Sequence, residues 1–470
     1  MSKYNNRYQD NYYDDQVHVD EGDRLKVKIK RLGINGEGIG YFERKLVFVP
    51  GALKDETVMV TVEADLPRFI RASLDEILVP SEHRIDPVDA YANEVGGFEL
   101  ENLAYPEQLE YKRDVVIQSL EKFKPAGYKH YKIPATIGMD EPIEYRNKAQ
   151  FQVREQNGNV VAGLYKSRSH DVVDLKTSAL QYPLTMKVMR ALVAMVEELQ
   201  IPVYNEEQNS GIIKTIVVRA AVATNEVQVT FVTQSAKLLK KHQLLERIKA
   251  ELPEVVSVMQ NINPGKTSLV WGEKTLHLAG KTAITEILDG LEFDLSARAF
   301  LQLNPFMTPT LYHEAFDALQ LDGSEKLVDT YAGVGTIGLT AADYVAEVRG
   351  MDTIAEAVAD ANENAQKNGI TNAHYEVGEA EAILPKWLDE GFEPDIIIVD
   401  PPRTGLADSL IDAILASAPD QFVYISCNPS TMARDLVKLT RKYHVNKIQT
   451  IDMLPQTARV EAVVTFTKKD

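Results

Sequence analysis

The sequence predicts an α/β protein in three parts: a small OB-like β-barrel, a mixed α/β middle, and a doubly wound parallel sheet. Three observations carry this. From Lys326 onward, short apolar runs at 327–329, 348–352, 374–377, 395–400, 422–425 and 461–467 alternate with amphipathic stretches, the rhythm of a parallel sheet wrapped by helices. Between about 17 and 79 the runs are shorter, alternate with period two and are broken by Gly33, Gly36, Gly38 and Gly40. The region between mixes strands at 149–153, 217–222 and 227–232 with helices at 183–199 and 237–250.

Each part has a local reason. Residues 1–16 are polar and unpatterned, which predicts a disordered tail. Leu25-Lys26-Val27-Lys28-Ile29-Lys30 places three lysines on one face of a strand and three apolar residues on the other. Strands at 46–49 and 56–62 extend that barrel over 17–79. The lysine face is either a phosphate-tracking surface or a solvated strand edge. The middle, 80–291, carries basic clusters at turns, Tyr145-Arg146-Asn147-Lys148 and Lys166-Ser167-Arg168-Ser169-His170, suited to an RNA groove. The sheet fills 292–470, and a segment near 100–125 is expected to dock on it.

Composition bounds the function. The 470 residues are 44% hydrophobic, enough for sizeable cores. A net charge of −18 argues against indiscriminate nucleic-acid binding, although a locally basic groove can still hold RNA. The single cysteine, Cys427, excludes internal disulfides and fits a reducing compartment. No charged-then-apolar leader opens the chain and no apolar run is long enough for a bilayer. A soluble, cytoplasmic monomer is expected.

The chemistry clusters at three predicted strand ends. Asp329-Thr330-Tyr331-Ala332-Gly333-Val334-Gly335-Thr336-Ile337-Gly338 reads as a glycine-rich strand-to-helix turn, with Asp352 spaced to meet a ribose. A nicotinamide domain competes for this pattern. Asp329 and Tyr331 instead offer a carboxylate and an aromatic to a cationic methionine moiety, which favours S-adenosylmethionine. The strand ending at Asp400 continues into Pro401-Pro402-Arg403, without the aromatic expected for methylation of exocyclic amines. Cys427, in Ser426-Cys427-Asn428-Pro429, follows a strand and precedes a helix predicted over 431–442. A lone cysteine is often a small core hydrophobe, but one at a sheet edge beside a methyl-donor site can act as a nucleophile. Carbon 5 of uracil becomes nucleophilic once a thiolate adds at carbon 6, after which a base must remove the carbon-5 proton. A thiol of pKa about 8.5 is only roughly 3% ionised at neutral pH, and the following helix could supply about 0.3–1 kcal/mol of help.

Phe300-Leu301-Gln302-Leu303-Asn304, the glycine turn, Asp400-Pro401-Pro402-Arg403-Thr404-Gly405-Leu406, the block 426–435 and Pro455-Gln456-Thr457-Ala458-Arg459-Val460-Glu461 together resemble the RNA uracil-5-methyltransferases. The barrel is similar to the TRAM domain of ribosomal-RNA members. The resemblance implies a Rossmann-like methyltransferase domain that methylates uridine in 23S ribosomal RNA. It also implies contacts to S-adenosylmethionine from Gln302, Tyr331, Asp352, Asp400, Gly333 and Gly335, with Cys427 as nucleophile and Glu461 as base. RNA contacts are expected from Lys26, Lys28, Lys30, Arg146, Lys148 and Arg168. Alternatives are a transfer-RNA enzyme and a non-catalytic RNA-binding assembly factor. The chain departs from the family at four places. Where many relatives carry iron–sulfur cysteines it has Asn93-Glu94-Val95-Gly96-Gly97-Phe98, so no cluster is expected. Ala332 replaces a usual cysteine, Asp352 a commoner glutamate, and Arg459 a histidine before the base.

Overall fold

A computed structural model describes residues 18–92, 94–166, 169–267 and 269–469. The expected tail at 1–16 and Arg168 lie outside these residues. The chain forms two compact units, one holding the barrel through Asp86 together with Glu99–Glu107, the other holding Pro87–Phe98 and everything from Gln108.

In the first unit, β1 (Arg24–Leu32), β2 (Gly38–Phe42), β3 (Lys45–Val49), β4 (Thr57–Asp65) and β5 (Phe69–Val79) close a barrel in the order β1-β2-β3-β5-β4. The period-two pattern works as expected: Leu25, Val27 and Ile29 enter the core with Val47, Val58, Val60 and Ile70, while Lys26, Lys28 and Lys30 stay exposed.

Helix α1 (Tyr105–Phe123) leads into the second unit, where a mixed sheet is built from β6 (Lys148–Gln156), β7 (Asn159–Tyr165), β8 (Val172–Asp174), β9 (Ile213–Ala221), β10 (Glu226–Thr233), β11 (Val255–Ile262) and β12 (Lys274–Gly280). Its order is β12-β11-β10-β9-β6-β7-β8. Helices α2 (Pro183–Glu198) and α3 (Lys241–Glu251) bury Val188, Leu192 and Leu244 against Phe151, Ile216 and Phe231 on one face. A hairpin of β13 (Ile284–Leu288) and β14 (Leu291–Leu295) follows. The expected boundary at 291/292 falls inside it, because the turn at Asp289 and Gly290 joins paired strands rather than domains.

The last sheet comprises β15 (Lys326–Thr330), β16 (Glu347–Asp352), β17 (Ala373–Val377), β18 (Ile396–Val399), β19 (Gln421–Ser426), β20 (Tyr443–Ile451) and β21 (Glu461–Lys468). Helices α4 (Thr308–Phe316), α5 (Thr336–Ala341), α6 (Ala355–Lys367), α7 (Ala380–Asp389), α8 (Asp408–Ser417) and α9 (Pro429–Leu439) surround it. The order is β17-β16-β15-β18-β19-β21-β20, and the first five strands are parallel. β18 is buried throughout, as a central parallel strand covered on both faces must be. The expected all-parallel sheet needs one correction: β21 runs antiparallel between β19 and β20. The connection 452–460 is too short for the crossover that a parallel neighbour requires.

Candidate active site

The glycine turn leaves β15 with Tyr331, Gly333 and Gly335 at φ 61°, 56° and 82°. This left-handed path lets α5 start close against the sheet. A Cβ on Gly338 would lie 2.6 Å from the Tyr375 hydroxyl and 3.0 Å from Asp329 Oδ2, whereas one on Gly333 would meet nothing nearer than 3.9 Å. The turn is therefore tight beneath and open above Gly333. Asp329 is fully buried and its Oδ2 accepts from the Gly338 N–H at 2.9 Å. Asp329 thereby braces the turn from below, with Oδ1 left unpartnered. Asp352 accepts from Gly333 N–H at 3.0 Å and from Ile354 N–H at 2.9 Å, leaving lone pairs for a diol. The Tyr331 hydroxyl donates to Glu381 at 3.3 Å. An open backbone turn, a half-buried acid at the next strand end and orphaned carboxylate oxygens fit an adenosyl sulfonium ligand.

Asp400 ends β18, and Gln302 Nε2 donates to its Oδ2 at 3.4 Å. The loop after Asp400 is tied to α9. Asn428 caps that helix through the Ser430 N–H while its amide donates to the Arg403 carbonyl at 2.8 Å. Asp435, which sequence reasoning passed over, accepts from the Leu406 N–H at 2.9 Å and the Tyr424 hydroxyl at 3.0 Å. Its signal was an acid buried inside an amphipathic helix.

Cys427 follows β19 directly, and Glu461 opens β21. Ser426 pairs with Ala462, so Cys427 and Glu461 occupy the next opposed position of the same antiparallel register. Burial pushes the Cys427 thiol up to about 12, with Glu461 and then Asp400 adding to the effect and Arg403 opposing it. The partial help expected from the following helix does not prevail over burial and the two carboxylates. Glu461 is held well above the carboxylate range by burial and then by Asp400, and its Oε1 has no partner. Burial raises Asp400 to about 7. Arg459 is exposed and is not what raises Glu461.

The 452–457 loop that leads to Glu461 is pinned from several sides. Lys112 of α1 forms a fully buried ion pair with Asp452 and donates to the Leu454 carbonyl at 2.9 Å. Gln108 accepts from the Gln456 N–H at 3.0 Å and donates to its side chain at 2.8 Å. The Tyr145 hydroxyl donates to the Pro455 carbonyl at 2.8 Å.

Of the expected RNA contacts, Lys26, Lys28 and Lys30 are exposed on β1. Arg146 and Lys148 correct the surface-turn expectation: they are half-buried, Lys148 begins β6, and Asn147 between them donates to the Leu303 carbonyl at 3.0 Å. Among the described residues, no three His, Cys, Asp or Glu side chains could hold a metal ion. Near the segment of relatives' cluster cysteines, Asp89 instead accepts from the Tyr91 and Ala179 N–H groups at 2.8 and 2.7 Å. One cysteine does not fit an iron–sulfur cluster.

The family model for tRNA (uracil-5-)-methyltransferase matches residues 104–469, and that for the TRAM domain matches 19–74. The chain belongs to the tRNA (uracil-5-)-methyltransferase family. It is 63% identical over 454 residues to a Lactiplantibacillus plantarum RNA methyltransferase, covering 97% of this chain and 94% of the relative. With an RNA methyltransferase of Enterococcus faecalis the identity is 51%, over 97% of this chain and 100% of the relative. The fold is similar to that of a Pyrococcus abyssi tRNA (uracil-54, C5)-methyltransferase in complex with S-adenosyl-L-homocysteine, at TM-score 0.74 and 24% identity. That match covers 94% of this chain and 100% of the other. The protein is thus an S-adenosylmethionine-dependent RNA (uracil-5-)-methyltransferase. No helix among the described residues is long and apolar enough to cross a membrane.

Proposed function

We propose that this enzyme methylates carbon 5 of uridine in 23S ribosomal RNA, with Cys427 as nucleophile and Glu461 as base. The opposition of Cys427 and Glu461 across the β19–β21 register is the observation that carries the residue roles. Gly333, Gly335, Asp352, Tyr331, Gln302 and Asp400 would hold S-adenosylmethionine, which supplies an electrophilic methyl group when bound. Cys427 gives its proton to solvent and its thiolate adds to carbon 6 of uracil, opening the 5,6 double bond to an enolate whose carbon 5 is nucleophilic toward that methyl. Once carbon 5 carries the methyl, Glu461 takes the carbon-5 proton, the 5,6 double bond re-forms, and the Cys427–carbon-6 bond breaks to release the thiolate, which solvent reprotonates. Glu461 must be ionised for this step. Its burial beside Asp400 disfavours that charged form, and a cation in the site would favour it in both acids.

The TRAM barrel with its exposed lysine face supports ribosomal RNA, since the resemblance is to barrel-bearing ribosomal-RNA members. Transfer RNA is the second reading, favoured by the match along 94% of this chain to a protein named for tRNA. We also propose that the enzyme is a cytoplasmic monomer that works without an iron–sulfur cluster. Mass spectrometry of ribosomal and transfer RNA from a strain lacking the protein separates the substrates: 5-methyluridine should vanish from 23S RNA alone, and its loss from transfer RNA instead would overturn the first reading. RNA carrying 5-fluorouridine should trap a methylated covalent adduct with the wild type and none with Cys427→Ala. An adduct formed by that variant would remove Cys427 as nucleophile.

A further inference from the structure

We propose that Lys148, Arg146 and Trp271 form a subsite for one phosphodiester and one adjacent unpaired base of single-stranded RNA, beside the methyl-transfer site. The inference rests on RNA as substrate and adds where, and in what form, the strand next to the target is held.

Residues alternate along β6: Ala149, Phe151 and Val153 enter the core under α2 and α3, while Lys148, Gln150 and Gln152 stand on the other face, half-buried. Lys148 is paired in register with Arg219 on β9, so two cations share that face, and Arg146 precedes them. No carboxylate is among the groups acting on Arg146 or Lys148, whereas Asp360 acts on Arg219. Arg219 is committed to the carbonyls of Ser296 and Ala299. Arg146 donates through Nε to the Lys148 carbonyl at a long 3.4 Å, and among the described residues the ends of its guanidinium and the Lys148 ammonium have no acceptor. Burial, Arg219 and Arg146, in that order, pull Lys148 down to about 6. Packing alone would be served as well by methionine. Arg146 and Lys148, with no carboxylate acting on them, become favourable when an anion enters, because its charge lets Lys148 take up a proton and hold it.

The indole supplies the second half of a nucleotide's chemistry. Lys148 Nζ lies 5.5 Å from the Trp271 ring centroid, and the ring is half-buried. Its backbone is held in place: Asn261 accepts from the Gly272 N–H at 2.7 Å and donates to its carbonyl at 3.0 Å. A Cβ on Gly272 would fall 1.8 Å from the Ile262 carbonyl oxygen, so the chain after Trp271 has one course. A fixed, partly exposed indole next to an amine that an arriving phosphate would protonate suits a base stacked beside its own phosphate. The strand must be single, because a paired base has no free face to offer. Asn147 fixes the position relative to the chemistry. It donates to the backbone of Gln302 and Leu303, and Gln302 in turn meets Asp400.

The chain has two tryptophans, and Trp387 is buried at 3% exposure, so fluorescence changes on RNA binding report Trp271. Short oligoadenylate, which contains no uridine, should quench that emission. Inorganic polyphosphate should compete for the site without quenching. Trp271→Phe should abolish the quench and weaken affinity roughly tenfold. Lys148→Met should flatten the salt dependence by about 0.7 log unit while S-adenosylmethionine binding stays intact as the folding control. Absence of any quench in the wild type, or an unchanged salt slope in a folded Lys148→Met protein, overturns the subsite. If that variant does not fold, the wild-type quench decides alone. Since oligoadenylate lacks uracil, a failure of uracil methylation would leave this result untouched, and the two readings fail separately.

Discussion

Alkylation of Cys427 by iodoacetamide should be slow, and its pH profile should expose the carboxylates around it. With the thiol at about 12, only about one part in ten thousand is thiolate at pH 8, against roughly a quarter for a free cysteine of pKa about 8.5. The more basic thiolate is the better nucleophile, and with a Brønsted coefficient near 0.4–0.5 this restores roughly 30-fold of the roughly 2,000-fold lost. A net slowing of about 50- to 100-fold remains. The logarithm of the rate should climb with unit slope through pH 10 without a plateau. Glu461→Gln removes the second cause of the shift and leaves the first, burial, in place. Its rate should exceed the wild type's by several-fold at most. One cysteine makes intact-protein mass spectrometry an unambiguous readout. A plateau near pH 8.5 at the free-thiol rate, or superimposable profiles for the two proteins, would refute the picture of a thiol raised by enclosure and by Glu461.

Lys112→Met should destabilise the protein by about 3–5 kcal/mol in urea unfolding, because Asp452 would stay buried without its partner; adding Asp452→Leu should recover most of the loss. Gly338→Ala should cost about 1–3 kcal/mol and weaken S-adenosylmethionine binding measured by calorimetry, since the new methyl group would collide with Tyr375, Val348 and Asp329. Replacing Lys26, Lys28 and Lys30 with alanine should lower RNA affinity and flatten its salt slope by about 0.7 log unit per lost contact, with cofactor affinity unchanged; an unaltered slope would leave them a solvated strand face.

What could be read ahead of the structure divides along a physical line. The runs Leu327–Val328, Ile396–Val399 and Phe422–Ile425 were legible because a central parallel strand is buried on both faces and is mostly apolar. β20 was missed because Tyr-His-Val-Asn-Lys-Ile-Gln-Thr-Ile mixes polar and apolar residues, as an edge strand does, and with it went the antiparallel direction of β21. The direction matters to the site. Only an antiparallel β21 sets its first residue, Glu461, opposite the residue that follows the last of β19, and a slip of one residue would turn it to the other face. Composition and hydropathy are equally blind to buried charge. Asp435, Lys112 and Arg219 sit in segments that scan as ordinary strand or helix, and their burial follows from partners hundreds or tens of residues away. Lys148 shows that some of this was recoverable. Read with its neighbours, Lys148-Ala149-Gln150-Phe151-Gln152-Val153 already alternates with period two, which extends the strand to the lysine and removes it from a turn. A cation at the start of a strand whose other face is core has to share the polar face with whatever lies across from it. In this fold that is another cation, and the repulsion between them is the reason to look there for an anion.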